Sequence, residues 1–252
     1  MPETWTPLLI AAVAFAIAVY GFSKTAGPVF GVVAGPILAV ALGPTAAAGF
    51  AVPLLLVGDF MGLLYFRQHA DWPVMRRIVP GVLLGFVLTA VLFAFASQST
   101  IARVIGALLL FSVALEVQRR RNPQLGQQPE SGGERRIEAG FYGALTGVTT
   151  LAVSAGGPAM TLYLVKMRVP MLAFMGTSVW FFFILNLAKL PFVIPLGLIT
   201  RESLIANLWF APAMIAGSLI GIATFRRMNQ VWFERIALVL SAAASLWLVI
   251  RG

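Results

Sequence analysis

The chain has 252 residues, 60% of them hydrophobic and 11% charged, with 18 Lys and Arg against 9 Asp and Glu. A water-soluble domain of this length has no use for such a composition. The basic excess is spread over short loops, which argues against nucleic acid and for loop charge that orients membrane helices. With no cysteine, disulfides, thiolate nucleophiles and thiolate metal sites are excluded.

Taken in chain order, the opening MPETWTPLLIAAVAF carries an acidic residue and no Lys or Arg before its first apolar run. It reads as a retained membrane segment rather than a cleaved signal peptide. Segments a (Pro7 to Phe22) and b (Phe30 to Leu42) flank GFSKTAGPVFGVVAGP, residues 21–36, where glycines, prolines and one lysine interrupt the apolar run. Longer segments c (Thr45 to Phe66) and d (Ile78 to Ser97) follow, and then a third, e. The polar stretch QRRRNPQLGQQPESGGERRIE, residues 118–138, reads as a linker. Beyond it the order returns: a' (Ile137 to Thr149), b' (Pro158 to Val165), c' (Pro170 to Ile194), d' (Ser203 to Thr224) and e' (Val231 to Ile250).

The expectation is therefore an all-α polytopic membrane protein of two repeats, 1–118 and 138–252, joined by a cytoplasmic linker, 119–137. Setting GPILAVALGPTAAAG from Gly35 over GPAMTLYLVKMRVPMLAFMG from Gly157, with five extra residues in the second copy, brings Gly21 onto Gly143 and Pro36 onto Pro158. Gly49 then falls on Gly176, and Asp59 on Asn186. Loop charge reverses between the halves. The c/d loop carries Arg67, Arg76 and Arg77 and the d/e loop only Arg103, whereas the c'/d' loop has Arg201 offset by Glu202 and the d'/e' loop has Arg226 and Arg227. Placing the rich loops inside makes the repeats inverted and puts both termini outside. Inverted repeats place a transporter's substrate site at the midplane.

Segments a, b, a' and b' run to roughly 8 to 16 residues, and most fall short of a hydrocarbon core about 30 Å thick. Two readings stay open. Each pair is a broken or re-entrant element with a deep Gly/Pro tip, or a pair of short tilted spans. In the first reading Lys24 sits at a tip beside the N-terminus of helix b, whose partial positive charge repels an ammonium unless an anion lies between them. Thr25 and Gly27 flank it. At the matching tip of the second half, TTLAVSAGGP offers Ser154, Gly156 and Gly157 but no cation.

These residues resemble a known family. GFSKTAG with GPILAVALGPTAAAGFAVPLLLVGD looks like the first repeat of the sulfite exporter TauE/SafE family, and YGALTGVTTLAVSAGGPAMTLYLVKMRVP with TSVWFFFILNLAKLP is similar to its second. The resemblance covers essentially the whole chain, although Thr25 and Pro28 stand where glycine and phenylalanine are frequent. It implies a bacterial inner-membrane transporter of sulfite, sulfonates or related small sulfur-containing anions.

Other polar residues carry alternatives. Asp59 is a proton-coupling or gating carboxylate, or a charge partner for Lys24. Asn186 and Lys189, about one turn apart, line the same cavity, or Lys189 snorkels to the interface. Lys166 and Arg168 read as anchors of an inner loop, and the phenylalanines of WFFFIL as lipid-facing or packed helix. Intramembrane enzymes need a nucleophile with a base, or a metal-ligand cluster, and here the single histidine, His69, lies in an Arg-rich loop. No cofactor is expected. The expected partners are a small anionic substrate and the bilayer. A non-enzymatic partner subunit and a proton-coupled importer of small organic anions remain as alternatives. Export is favoured because an anion leaves down an inside-negative potential without a coupled ion.

Overall fold

The computed structural model describes residues 5–95, 132–153, 156–195 and 197–251, with scattered positions between 100 and 118. Most of segment e and most of the linker therefore lie outside the described residues. Among those described, regular structure is entirely helical: α1 (Pro7–Ala26), α2 (Ala34–Leu42), α3 (Pro44–Phe66), α4 (Trp72–Phe95), α5 (Gly132–Val153), α6 (Gly156–Lys166), α7 (Met171–Val193), α8 (Arg201–Arg227) and α9 (Gln230–Arg251), with 3-10 turns at Pro28–Val33 and Arg67–His69. Among the described residues, five helices are long and apolar enough to cross a membrane.

The pairs a/b and a'/b' differ from the expectation of uniformly short segments. α1 has 20 residues and α5 has 22, so each is about 30 Å long, while α2 and α6 have 9 and 11. Each pair is one long helix and one short one. α1 outruns segment a because the polar residues at its end support the helix. Ser23 Oγ donates to Tyr20 O at 2.8 Å, and Thr25 Oγ1 lies 3.4 Å from Gly21 O and from Phe22 O. Gly27 ends the helix at φ 151°, a conformation that side-chain-bearing residues rarely adopt. At the other end Thr6 caps α1, its Oγ1 accepting from Leu9 N at 3.3 Å, and Pro7 sits where no helical N–H is needed.

The chain forms two compact units, each drawing on both halves of the sequence. Unit 1 comprises 1–70 and 171–228, hence α1, α2, α3, α7 and α8. Its core joins Val13 and Ile17 of α1, Leu38 of α2, Phe50 of α3, and Phe210 and Met214 of α8. Glycines let α1 and α8 approach to backbone contact. A Cβ on Gly21 would lie 2.1 Å from Met214 O, one on Gly217 2.0 Å from Ala18 O, and one on Gly221 2.8 Å from Phe22 O. Contacts advance together along both helices, so α1 and α8 run parallel. α3 and α7 run antiparallel: Gly62 meets Val179 while Gly176 meets Phe66 and Ala70.

Unit 2 comprises 71–170 and 229–252, hence α4, α5, α6 and α9. Its α4 and α5 pack through the same device. Cβ atoms on Gly143, Gly81 and Gly85 would lie 2.5, 2.5 and 2.3 Å from the carbonyl oxygens of Ile78, Gly140 and Ala144. The two sets correspond position by position. Ala18, Gly21 and Phe22 become Gly140, Gly143 and Ala144, each 122 positions later, and Met214, Gly217 and Gly221 stand for Ile78, Gly81 and Gly85, each 136 positions earlier. The first offset is the one read from the sequence by placing Gly21 on Gly143. In unit 2, Lys166 pairs with Glu138 and lies 5.6 Å from the centre of the Tyr142 ring, while Tyr163 Oη donates to Val74 O at 3.1 Å.

Candidate anion site

The interior of unit 1 is apolar but for a few groups. Within α1, α3 and α7 the ionisable residues that carry charge are Lys24, Asp59 and Lys189, one per helix, and α8 is charged only at its two ends. Lys24 falls in the last turn of α1, about 25 Å along it, and Asp59 about 22 Å along α3. α3 advances with α8, Phe50 meeting Phe210 and Phe66 meeting Phe225, so α1 and α3 also run parallel, and with α7 antiparallel these depths come together. Gly58 and Gly62 make room, since Cβ atoms there would lie 3.0 Å from Lys24 Cγ and 3.1 Å from Lys24 O.

Asp59 is fully buried, and each of its carboxylate oxygens is engaged. Lys24 Nζ lies 2.6 Å from Oδ1 and Asn186 Nδ2 donates to Oδ2 at 2.7 Å. The Lys24 ammonium also lies 5.2 Å from the centre of the Phe182 ring, and its side chain is 10% exposed. Lys189 lies half-buried one turn beyond Asn186, near the helix face that Asn186 turns to Asp59. Such charges are tolerated deep in a membrane protein only when they are paired or face a polar cavity.

The structure thus brings three of the residues singled out from the sequence into contact, Lys24, Asp59 and Asn186, and sets a fourth, Lys189, one helical turn from Asn186. It corrects the reasoning about Lys24, however. The helix end beside it is the C-terminus of α1, whose partial negative charge attracts an ammonium, and a 3-10 turn separates it from α2. The negative group next to Lys24 is Asp59. Thr25 is fully buried and turns its hydroxyl to Ser218 O at 2.7 Å, while Ser218 Oγ donates to Gly21 O at 3.2 Å, so Thr25 joins α1 to α8. Gly27 is the backbone turn that ends α1. Gly156 and Gly157 open α6 in unit 2, and Ser154 lies outside the described residues. Phe182, one of the WFFFIL phenylalanines read as lipid-facing or packed helix, instead faces the Lys24 ammonium. The signal was present, because Phe182 precedes Asn186 by four positions and so shares its helix face.

Long apolar helices, ionisable groups paired at depth and helix packing through bare glycine backbone define a polytopic α-helical membrane protein with a charged interior. The chain belongs to the Sulfite exporter TauE/SafE family, whose family model matches residues 9–248. It is therefore a membrane transporter of sulfite or related anions. No curated protein and no solved structure matches the chain.

Proposed function

We propose that the chain exports a small sulfur-containing oxyanion across the bacterial inner membrane, and that the anion binds in unit 1 at Lys24, Asn186 and Lys189 beside Asp59. One observation carries the reading: a buried Lys24–Asp59 pair held by Asn186, with a second cation, Lys189, one turn further along α7, which leaves one positive charge that a bound anion neutralises. The halves are inverted repeats in this reading. Two facts support that. Asp59 and Asn186, equivalent in the sequence register, hydrogen-bond to each other, and they do so from helices that run antiparallel. A residue that meets its own repeat equivalent stands at a local two-fold axis, and a site there is equally distant from both faces.

Direction follows from charge. Moving one negative charge outward releases about 2.3 kcal/mol per 100 mV of inside-negative potential, which sustains a gradient of roughly fiftyfold without a coupled ion. The test is flux of sulfite and methanesulfonate from proteoliposomes under an imposed potential. Efflux should accelerate when the compartment holding the anion is negative, and folded Lys24→Ala protein should lose it. Flux at the unaltered rate in that variant refutes the site. Absence of flux of any anion in the unaltered protein refutes the transport reading.

A further inference from the structure

The charges of unit 1 do not cancel, and the excess is a single unit. Lys24 and Asp59 form a contact pair, and Lys189, half-buried one helical turn beyond the Asn186 that donates to Asp59, adds one positive charge. Among the described residues, the other elements packed on α3 bring nothing to offset it. α2 has no ionisable residue, α8 presents Met214 to Gly58 and keeps its charges at its ends, and the turn Arg67–His69 is exposed beyond the C-terminal end of α3.

We propose that this single excess charge sets the valence of the transported anion: the site takes a monovalent oxyanion, an alkyl sulfonate or hydrogensulfite, and rejects divalent anions, with Asp59 the residue that determines this specificity. The inference rests on the anion-site reading above and adds the class of anion to it. A monoanion brings the three protein charges and its own to zero. A dianion leaves a net negative charge in surroundings where an uncompensated charge is strongly unfavourable. Asp59 acts as a fixed member of the set because Lys24 and Asn186 hold one carboxylate oxygen each. The Phe182 ring beside the ammonium adds an apolar surface that suits the alkyl group of an organic sulfonate.

The experiment measures binding of methanesulfonate, 1-propanesulfonate and 1,2-ethanedisulfonate to the purified full-length protein. All three probes stay fully ionised near neutral pH, and 1-propanesulfonate controls for size. The unaltered protein should bind both monosulfonates at least about tenfold more tightly than the disulfonate. Asp59→Asn raises the cluster by one positive charge and should shift that ratio towards the disulfonate by about tenfold or more. Lys189→Gln brings the cluster to zero and should weaken both monosulfonates by a similar factor. It keeps the proposal testable if Asp59→Asn does not fold. A preference for the disulfonate in the unaltered protein, equal binding of all three probes, or a ratio that Asp59→Asn leaves unmoved overturns the valence proposal alone. So does monosulfonate affinity that survives Lys189→Gln. Failure of the unaltered protein to bind any of the three overturns the anion-site reading together with it.

Discussion

Lys24→Ala tests two contributions that act together and have to be separated. Removing the ammonium strands the Asp59 carboxylate, which is fully buried and keeps only Asn186 as a hydrogen-bond donor. Breaking a buried pair from one side destabilises by about 3 to 5 kcal/mol. Losing a charge-assisted contact to a bound anion costs about 1.5 to 3 kcal/mol, or roughly ten- to a hundredfold in affinity. Lys24→Ala should therefore lower both thermal stability in detergent and anion affinity. The double variant Lys24→Ala/Asp59→Asn removes the stranded charge as well, so most of the lost stability should return. Affinity should not, because the cation that meets the anion is still missing. The assay is a melting curve paired with methanesulfonate binding on the same purified samples. Recovery of binding along with stability in the double variant would show that Lys24 serves the fold alone.

Gly21→Ala and Gly143→Ala should each lower stability by about 1 to 3 kcal/mol, since the added methyl meets a carbonyl oxygen of the neighbouring helix at 2.1 and 2.5 Å. Gly140→Ala, where a Cβ meets nothing within 4 Å, should be neutral or stabilising by about 1 kcal/mol in the same melting assay. Single cysteines introduced into the native cysteine-free chain should report orientation: impermeant reagents on intact cells should label positions 197–200 and leave positions 67–70 and the linker unlabelled. Labelling of the linker would reverse the topology.

What the sequence made legible was whatever depends on local pattern. Composition shows the membrane medium, and the apolar runs of c, c' and d' coincide closely with α3, α7 and α8. The offset that set Gly21 on Gly143 reappears in backbone contacts because a glycine at a close helix crossing cannot be replaced by a larger residue without separating the helices. Less legible were features decided by hydrogen bonds and long-range packing. Ser23 and Thr25 look like part of a break, yet their hydroxyls bond to main-chain carbonyls and α1 continues through them. Lys24 therefore reads as a cation facing a helix N-terminus, whereas it lies at a C-terminus against a carboxylate 35 positions away in the chain. Nor does any local signal show that α7 and α8 join α1 to α3 in one compact unit.

The register in which Asp59 corresponds to Asn186 leads to a last prediction, on whether the site depends on its total charge or on where the carboxylate stands. The two side chains touch at 2.7 Å, so the swap Asp59→Asn/Asn186→Asp keeps the same groups, the same size and the same net charge. It moves the carboxylate by about the length of one hydrogen bond, away from Lys24 and onto the helix that carries Lys189. Lys24 Nζ, now 2.6 Å from Asp59, would face the amide instead, and its attraction to the carboxylate would weaken by roughly half. If total charge sets the valence, the swapped protein keeps its preference for methanesulfonate over 1,2-ethanedisulfonate even where Asp59→Asn alone has lost it. Its melting temperature should fall, because the contact ion pair is gone. A swapped protein that folds, binds methanesulfonate and prefers the disulfonate would show that the carboxylate acts through its place beside Lys24, and charge counting would then be the wrong account of selectivity.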